Sequence, residues 1–211
     1  MTPSIGQLVR GMFGPYERPI SDAYRAIFLD IGDFVSQIQR WRPDASRILE
    51  VGCGEGALIE RLRVSYPDAD ITGIDLTPRL GRLYGGPRER VRFIQCPVED
   101  IAAAEPGQYD LVALCDVLHH VPEAVRQSLL DAIRATLAPG GVLVFKDWER
   151  TGTLIHWLCY ASDRWITGDR VAYMTRDEMR TRLSASFGAD ALIAEARTAP
   201  WRNNIAMLIQ P

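Results

Sequence analysis

The chain has 211 residues, a formal net charge of −3 and 47% apolar residues, which suits one globular domain able to bury roughly 70% of its unfolded surface. No run reaches the length of a membrane span, MTPSIGQLVRG at the start lacks the apolar centre of a secretory leader, and no concentrated basic surface awaits a nucleic acid. Cys53, Cys96, Cys115 and Cys159 are scattered without metal-type spacing, so the expected setting is a reducing cytoplasm.

Residues 1–20 are rich in glycine and proline and read as loosely ordered. From Ser21 to Trp41 the apolar positions Ala23, Ile27, Ile31, Phe34, Val35 and Ile38 recur at helical spacing, with Ser21 as N-cap, until Pro43 breaks the pattern. Strands then follow at 47–51, 70–75, 91–95, 109–115 and 141–147. Helices are expected near 56–66, 77–84 and 122–137, with a short helical turn after Pro97. This alternation predicts a parallel sheet covered on both faces. The aromatic segment 151–168 reads as helical, and a helix at 175–187 opens with Thr175 and Glu178 as a capping box. Two final strands, 189–198 and 203–210, are joined so closely by PWRN that they must form an antiparallel hairpin.

The most informative stretch is ILEVGCGEG, Ile48 to Gly56, followed by ITGID ending at Asp75. A strand running into a glycine turn, with a carboxylate at the end of the next strand, presents an adenosine-bearing ligand at the carboxyl ends of a parallel sheet. The spacing is not that of a dinucleotide fingerprint. Glu50 and Glu55 would repel a pyrophosphate and suit a ligand with a positive charge near the turn, such as an ammonium and a sulfonium. Asp75 stands where a carboxylate takes both ribose hydroxyls. The charge pattern favours S-adenosylmethionine over NAD.

ILEVGCGEG resembles the first motif of class I S-adenosylmethionine-dependent methyltransferases of the small-molecule type, and GIDLTP their acidic second motif. CPVED at 96–100, YDLVALCDVLHHVP at 109–122 and LAPGGVLVFKD at 137–147 are similar to the three that follow, in the family's order. The resemblance implies a Rossmann-like, doubly wound α/β fold in three layers. Its sheet has seven strands in the order 3-2-1-4-5-7-6, the last antiparallel. It also implies a lid or helical segment over residues 1–46, a methyltransferase domain over 47–211, and an active-site cap at 148–174. Carried onto this chain, Glu50 faces the methionyl ammonium and the backbone of Gly52, Cys53 and Gly54 lines the cofactor. Asp75 binds the ribose, Leu76 lies beside the adenine, and the Cys115 carbonyl sits near the sulfonium. Glu99 or Asp100 accepts from the adenine amino group, with Asp100 preferred; the plainer alternative is that both merely cap the helix after Pro97. The product would be S-adenosylhomocysteine.

Methyl transfer to a hydroxyl or amine also needs the acceptor's proton removed, and histidine suits that task near neutral pH. Asp116, His119 and His120 follow the fourth strand and share a face of a helical turn. Four readings stay open: His119 as base, His120 as base, a metal site, or none of these. The arrangement is similar to the Glu-x-x-Glu-His of metal-assisted ubiquinone-pathway O-methyltransferases, but the loss of a carboxylate weakens a magnesium reading, and no metal is expected. In the cap, His156, Tyr160 and Arg164, with Asp147 at the end of the fifth strand and Tyr16 from the amino-terminal lid, are candidate substrate contacts; the plainer alternative is an ordinary amphipathic helix whose aromatics are core and whose Asp and Arg pair at the surface. Trp148, Asp163 and Tyr173 belong to the same insertion, and Phe13, Tyr24 and Phe28 to the same lid. The expected function is methylation of O or N on a small, partly aromatic molecule in a monomer or homodimer. A rearrangement or cyclisation that uses the bound cofactor without methyl transfer is the alternative.

Overall fold

The computed structural model describes residues 26–167 and 171–211. Ser21, Tyr16, Phe13 and Tyr24 lie outside the described residues. The expected first helix is interrupted. Residues 26–28 are helical, Leu29 and Asp30 are not, and α1 (Ile31–Trp41) restarts with the Asp30 carboxylate accepting from the Asp33 amide at 2.9 Å. An aspartate that caps an amide three residues on starts a helix rather than continuing one.

From there β1 (Arg47–Val51), α2 (Ala57–Ser65), β2 (Asp70–Asp75), β3 (Val91–Gln95), α3 (Val98–Ala104) and β4 (Tyr109–Cys115) follow in order. A 3₁₀ turn, Leu118–His120, leads into α4 (Glu123–Thr136), and then comes β5 (Leu137–Trp148). The cap holds α5 (Leu154–Ala161) and a π-helical stretch, Ser162–Thr167; α6 (Arg176–Phe187), β6 (Leu192–Thr198) and β7 (Asn204–Ile209) close the chain. The seven strands lie in the order β3-β2-β1-β4-β5-β7-β6, with β7 antiparallel to both neighbours. This is the doubly wound Rossmann-like sheet expected above.

The central strands β1, β4 and β7 are buried on both faces, as a sheet covered by helices requires, while the edge strands β3 and β6 are partly exposed. Leu49, Val112, Leu143, Phe145 and Met207 pack one face with α3, α4 and α6. Ile48, Leu111, Ala113, Val144 and Leu208 pack the other against Phe34, Val35 and Ile38 of α1 and Ile59 and Leu62 of α2. A third, smaller cluster of Trp148, Cys159 and Tyr173 stands at the carboxyl ends of the strands.

The capping box of α6 is present, with Thr175 Oγ1 accepting from the Glu178 amide at 3.3 Å and Glu178 Oε2 accepting from the Thr175 amide at 2.6 Å. The helix expected at 77–84 is absent; these residues form turns. Their backbone bonds run across to the glycine turn instead, Gly81 N donating to Gly54 O at 2.8 Å and Leu83 N to Glu55 O at 3.2 Å. A partner outside the segment has displaced the local i to i−4 pattern.

Candidate active site

Two cavities open side by side at the carboxyl ends of the strands. The larger, about 580 Å³, lies over β1, β2 and β4 and is walled by Gly52, Ile74, Leu76 and Val117, among others. The smaller, about 160 Å³, lies between β5, the start of β7 and the cap. Asp116 and His120 line both, so the loop after β4 is their shared wall.

The glycine turn is built by backbone. Gly52 N and Cys53 N donate to the Ile74 carbonyl at 2.8 and 2.9 Å, which locks the turn onto the end of β2. Gly52 has φ +75°, and a Cβ there would stand 2.3 Å from Val117 Cγ2, so only glycine lets the 3₁₀ loop close over it. Asp75 Oδ2 accepts from Gly54 N and Oδ1 from Thr77 N, both at 2.8 Å. Each oxygen keeps further acceptor capacity toward the cavity. Buried Glu50 supplies negative charge beneath the turn. Burial, aided by the charges of Glu50 and Asp116, pushes the Cys115 thiol well up from its usual range. Glu55 is differently placed: it pairs with Arg82 at 2.7 Å, so the charge argument from the turn rests on Glu50.

The larger cavity has apolar walls, the carboxylates of Asp75, Glu99 and Asp116, and neither lysine nor arginine among its described lining residues. That donor set fits an adenosine with a cationic end and offers nothing to a pyrophosphate.

At the shared wall Asp116 takes φ +56°, a left-handed conformation that turns the chain sharply out of β4. Its Oδ2 pairs with Lys146 Nζ at 2.5 Å. His119 is buried and its Nδ1 is hydrogen-bonded to Asp147 Oδ1, which also accepts from the Trp148 amide at 2.8 Å. With Nδ1 donating to a carboxylate, the neutral ring carries its lone pair on Nε2. Burial opposes the charged imidazole, but the Asp147 charge and hydrogen bond more than offset it, so the His119 pKa lies above the ordinary range. The same pairing holds the Asp147 carboxyl below its ordinary range despite burial. The His119 ring packs at a tilt against His120, centroids 4.1 Å apart, and against Tyr173 at 4.8 Å.

Arg126, fully buried, ties this loop to the cap. Its Nε donates to the Val121 carbonyl at 2.9 Å and its Nη2 to the Ala172 carbonyl at 3.0 Å, while Ala172 N donates to the His119 carbonyl at 2.8 Å. Asp116, His119 and Asp147 each bring one ligand-type atom within 4.8 Å of the others. They are arranged as two ion pairs, and a divalent ion would have to displace the Lys146 ammonium and the imidazole proton together.

Residues 23–190 match a family described as "Methyltransferase domain". The chain belongs to the methyltransferase family. Its fold and motif order are those of the class I S-adenosylmethionine-dependent enzymes. The ubiquinone biosynthesis O-methyltransferase of Bordetella pertussis is 39% identical over 108 residues, 49% of this chain and 43% of that protein. The enzyme of the same name from Psychrobacter cryohalolentis is 36% identical over 110 residues, 49% of this chain and 41% of that protein. The chain thus spans less than half the length of these curated relatives. Among solved structures, the S-adenosylmethionine-dependent methyltransferase SibL in its apo form superposes with TM-score 0.70 at 18% identity, over 86% of this chain and 54% of that one. The Burkholderia thailandensis 1,6-didemethyltoxoflavin-N1-methyltransferase, solved with its substrate and S-adenosylhomocysteine, gives TM-score 0.65 at 20% identity over 96% of this chain and 86% of that one. Both likenesses concern the fold.

Within this methyltransferase, the expected site residues divide. Gly52, Asp75, Leu76, Glu99, Asp116 and His120 line the larger cavity. Asp100 does not, so of the two acidic residues on α3 the preference moves to Glu99. The thiols of Cys53 and Cys115 pack into the sheet face beneath the turn and leave only their backbone for a ligand. Of the expected substrate contacts, Asp147, Tyr160 and Arg164 stand outside the smaller cavity: Asp147 is fully buried and bonded to His119 and the Trp148 amide, and Arg164 is exposed. His156 accepts a hydrogen bond at Nδ1 from Trp148 Nε1 at 3.1 Å, which pins it as a structural neighbour of the pocket. Burial, with the charge of Arg150, lowers its pKa. The lining is instead Phe28, Lys146, Trp148, Asp163, Tyr173 and Asn204, with His119. Tyr173 donates its hydroxyl to Asp163 Oδ2, joining the two sides of the cap. Asn204 and Arg126 were not foreseen, since nothing in local periodicity marks a residue that acts across the fold. Among the described residues no helix is long and apolar enough to cross a membrane.

Proposed function

We propose that the chain methylates a hydroxyl oxygen of a small, partly aromatic molecule, with His119 as the general base. The observation that carries this reading is His119, paired with buried Asp147 behind it, on the wall of a small aromatic pocket that adjoins the adenosine-type cavity. The names of the O-methyltransferase relatives favour oxygen over nitrogen.

When bound, S-adenosylmethionine supplies a methyl group whose bond to sulfur breaks as its bond to the acceptor oxygen forms, leaving neutral S-adenosylhomocysteine. Asp75 accepts from the ribose hydroxyls while it braces Gly54 and Thr77. Leu76 would lie beside the adenine, Glu99 would accept from its amino group, and Glu50 would attract the methionyl ammonium. Asp147 holds the imidazole with Nε2 as the acceptor, and Nε2 takes the hydroxyl proton. Asp116, neutralised by Lys146, keeps the shared wall in place. The closely packed rings of Phe28, Trp148 and Tyr173 exclude water from the acceptor.

The test is an assay of the purified chain with S-adenosylmethionine and a panel of phenols, following S-adenosylhomocysteine and methyl ether together. The two should form one for one. Product without S-adenosylhomocysteine would move the reading to a rearrangement that keeps the cofactor intact.

A further inference from the structure

Arg126 leaves the first turn of α4 for the interior and ends only 2% exposed. Burial works against its charge, and the carboxylate of Glu123, one turn back at 3.2 Å, works for it. A buried cation is weak evidence for stability, so its worth lies in where its planar fork of donors is aimed.

The fork joins two segments far apart in the chain. Nε donates to the Val121 carbonyl at 2.9 Å and Nη2 to the Ala172 carbonyl at 3.0 Å, and the amide of that same Ala172 donates to the His119 carbonyl at 2.8 Å. These three bonds close a circuit that runs from His119 along the chain to Val121, through the guanidinium to Ala172, and back to His119. On the turn side, Val121 N donates to the Leu118 carbonyl at 3.1 Å, so the loop between has little freedom. On the cap side the next residue is Tyr173, whose ring packs against the imidazole of His119. Asp147 fixes one edge of that imidazole. The circuit fixes the backbone that carries the ring and the aromatic side chain that covers it. Arg126 itself lines neither cavity, so any part it has in the reaction passes through His119.

We infer that Arg126 is a positioning residue for His119, its guanidinium clamping the Ala172–Tyr173 edge of the cap onto the loop after β4 so that the imidazole stays covered and in register with the acceptor pocket. What His119 does there rests on the methyl-transfer reading above; the clamp does not.

The chain has three histidines, so their imidazole C–H resonances can be titrated individually by NMR, with His120→Gln and His156→Gln giving the assignments. Around His119 stand Asp147 and Lys146 of β5, Asp116 and His120 of its own loop, and Asp163 and Tyr173 of the cap, and Arg126→Met replaces none of them. Opening the circuit uncovers the ring and removes a cation that interacts with Asp147. Both changes favour the imidazolium, so the His119 midpoint should move to higher pH. A folded Arg126→Met protein with an unmoved midpoint overturns the inference, however far its Tm has dropped. Arg126→Lys, which keeps the cation and one carbonyl bond, covers a Met variant that does not fold. Its midpoint should also rise, and a match to wild type overturns the inference.

Turnover of the phenols gives a second readout. Arg126→Met should lower kcat about tenfold or more, toward the roughly 10²-fold that a displacement of about 1 Å can cost, with S-adenosylmethionine affinity unchanged. In a His119→Ala background the same substitution should cost nothing further, because the residue it positions has gone. An equal loss in both backgrounds overturns the route through His119. A midpoint shift in a protein that methylates none of the phenols leaves the clamp standing and removes the methyl-transfer reading.

Discussion

The two cavities are made of different material. Around the larger one the decisive groups are backbone amides and glycines: Gly52 and Cys53 donate to Ile74, and Gly54 and Thr77 donate to Asp75. Around the smaller one they are side chains from distant parts of the chain, Phe28 before α1, His119 after β4, Trp148 on β5, Tyr173 before α6 and Asn204 on β7. A backbone cradle recognises one ligand and tolerates little change. A pocket of side chains can be altered one residue at a time without disturbing the sheet.

Substitutions on either side break or sharpen that contrast. The largest effect belongs to the acceptor side: His119→Ala should lower kcat roughly 10²–10⁴-fold and leave S-adenosylmethionine affinity, measured by calorimetry, unchanged. Lost affinity would mean that the two cavities are not separable. On the donor side, Asp75→Ala should weaken binding by roughly 1.5–3 kcal/mol, the scale of a hydrogen bond to a charged group, and the Gly54 and Thr77 amides it braces should exchange faster with solvent. A normal titration curve would remove the ribose role.

A third variant concerns the base itself. Because Asp147 raises the His119 pKa, wild-type turnover should fall as pH drops through a value above the ordinary imidazole 6.5. Asp147→Asn removes the charge and leaves burial, which works in the opposite direction, so the acid limb should move to lower pH as kcat decreases. An unmoved limb would assign it to another group. The smallest change is expected at Arg164→Ala, an exposed cap position away from the pocket, where kcat and KM should both stay within about twofold. A larger loss would extend the acceptor site outward over the cap.

The same contrast explains what could be read in the chain before its structure. Strand order and the donor cavity were legible because glycines, strand periodicity and a carboxylate at a strand end are local demands with local spelling. The legibility failed where a segment answers to a distant partner. Residues 77–84 were expected as a helix, but Gly81 and Leu83 give their amides to the glycine turn. Choosing between Glu99 and Asp100 depended on the rotational phase of α3, which two adjacent acids do not reveal. In the acceptor pocket the histidine at 119 was visible, since its type and place suit a base. Asn204 was hidden inside a sequence that reads simply as turn and strand, because its place beside the cavity comes from the pairing of β7 with β5.

Lys146 is the chain's only lysine, and it lies 1% exposed on the floor of the acceptor pocket. Apart from the α-amino group, the protein therefore offers an amine-selective reagent a single target, sheltered by the cap and by Asp116. Acylation at Lys146, followed by mass spectrometry, therefore measures how often solvent reaches the floor of that pocket.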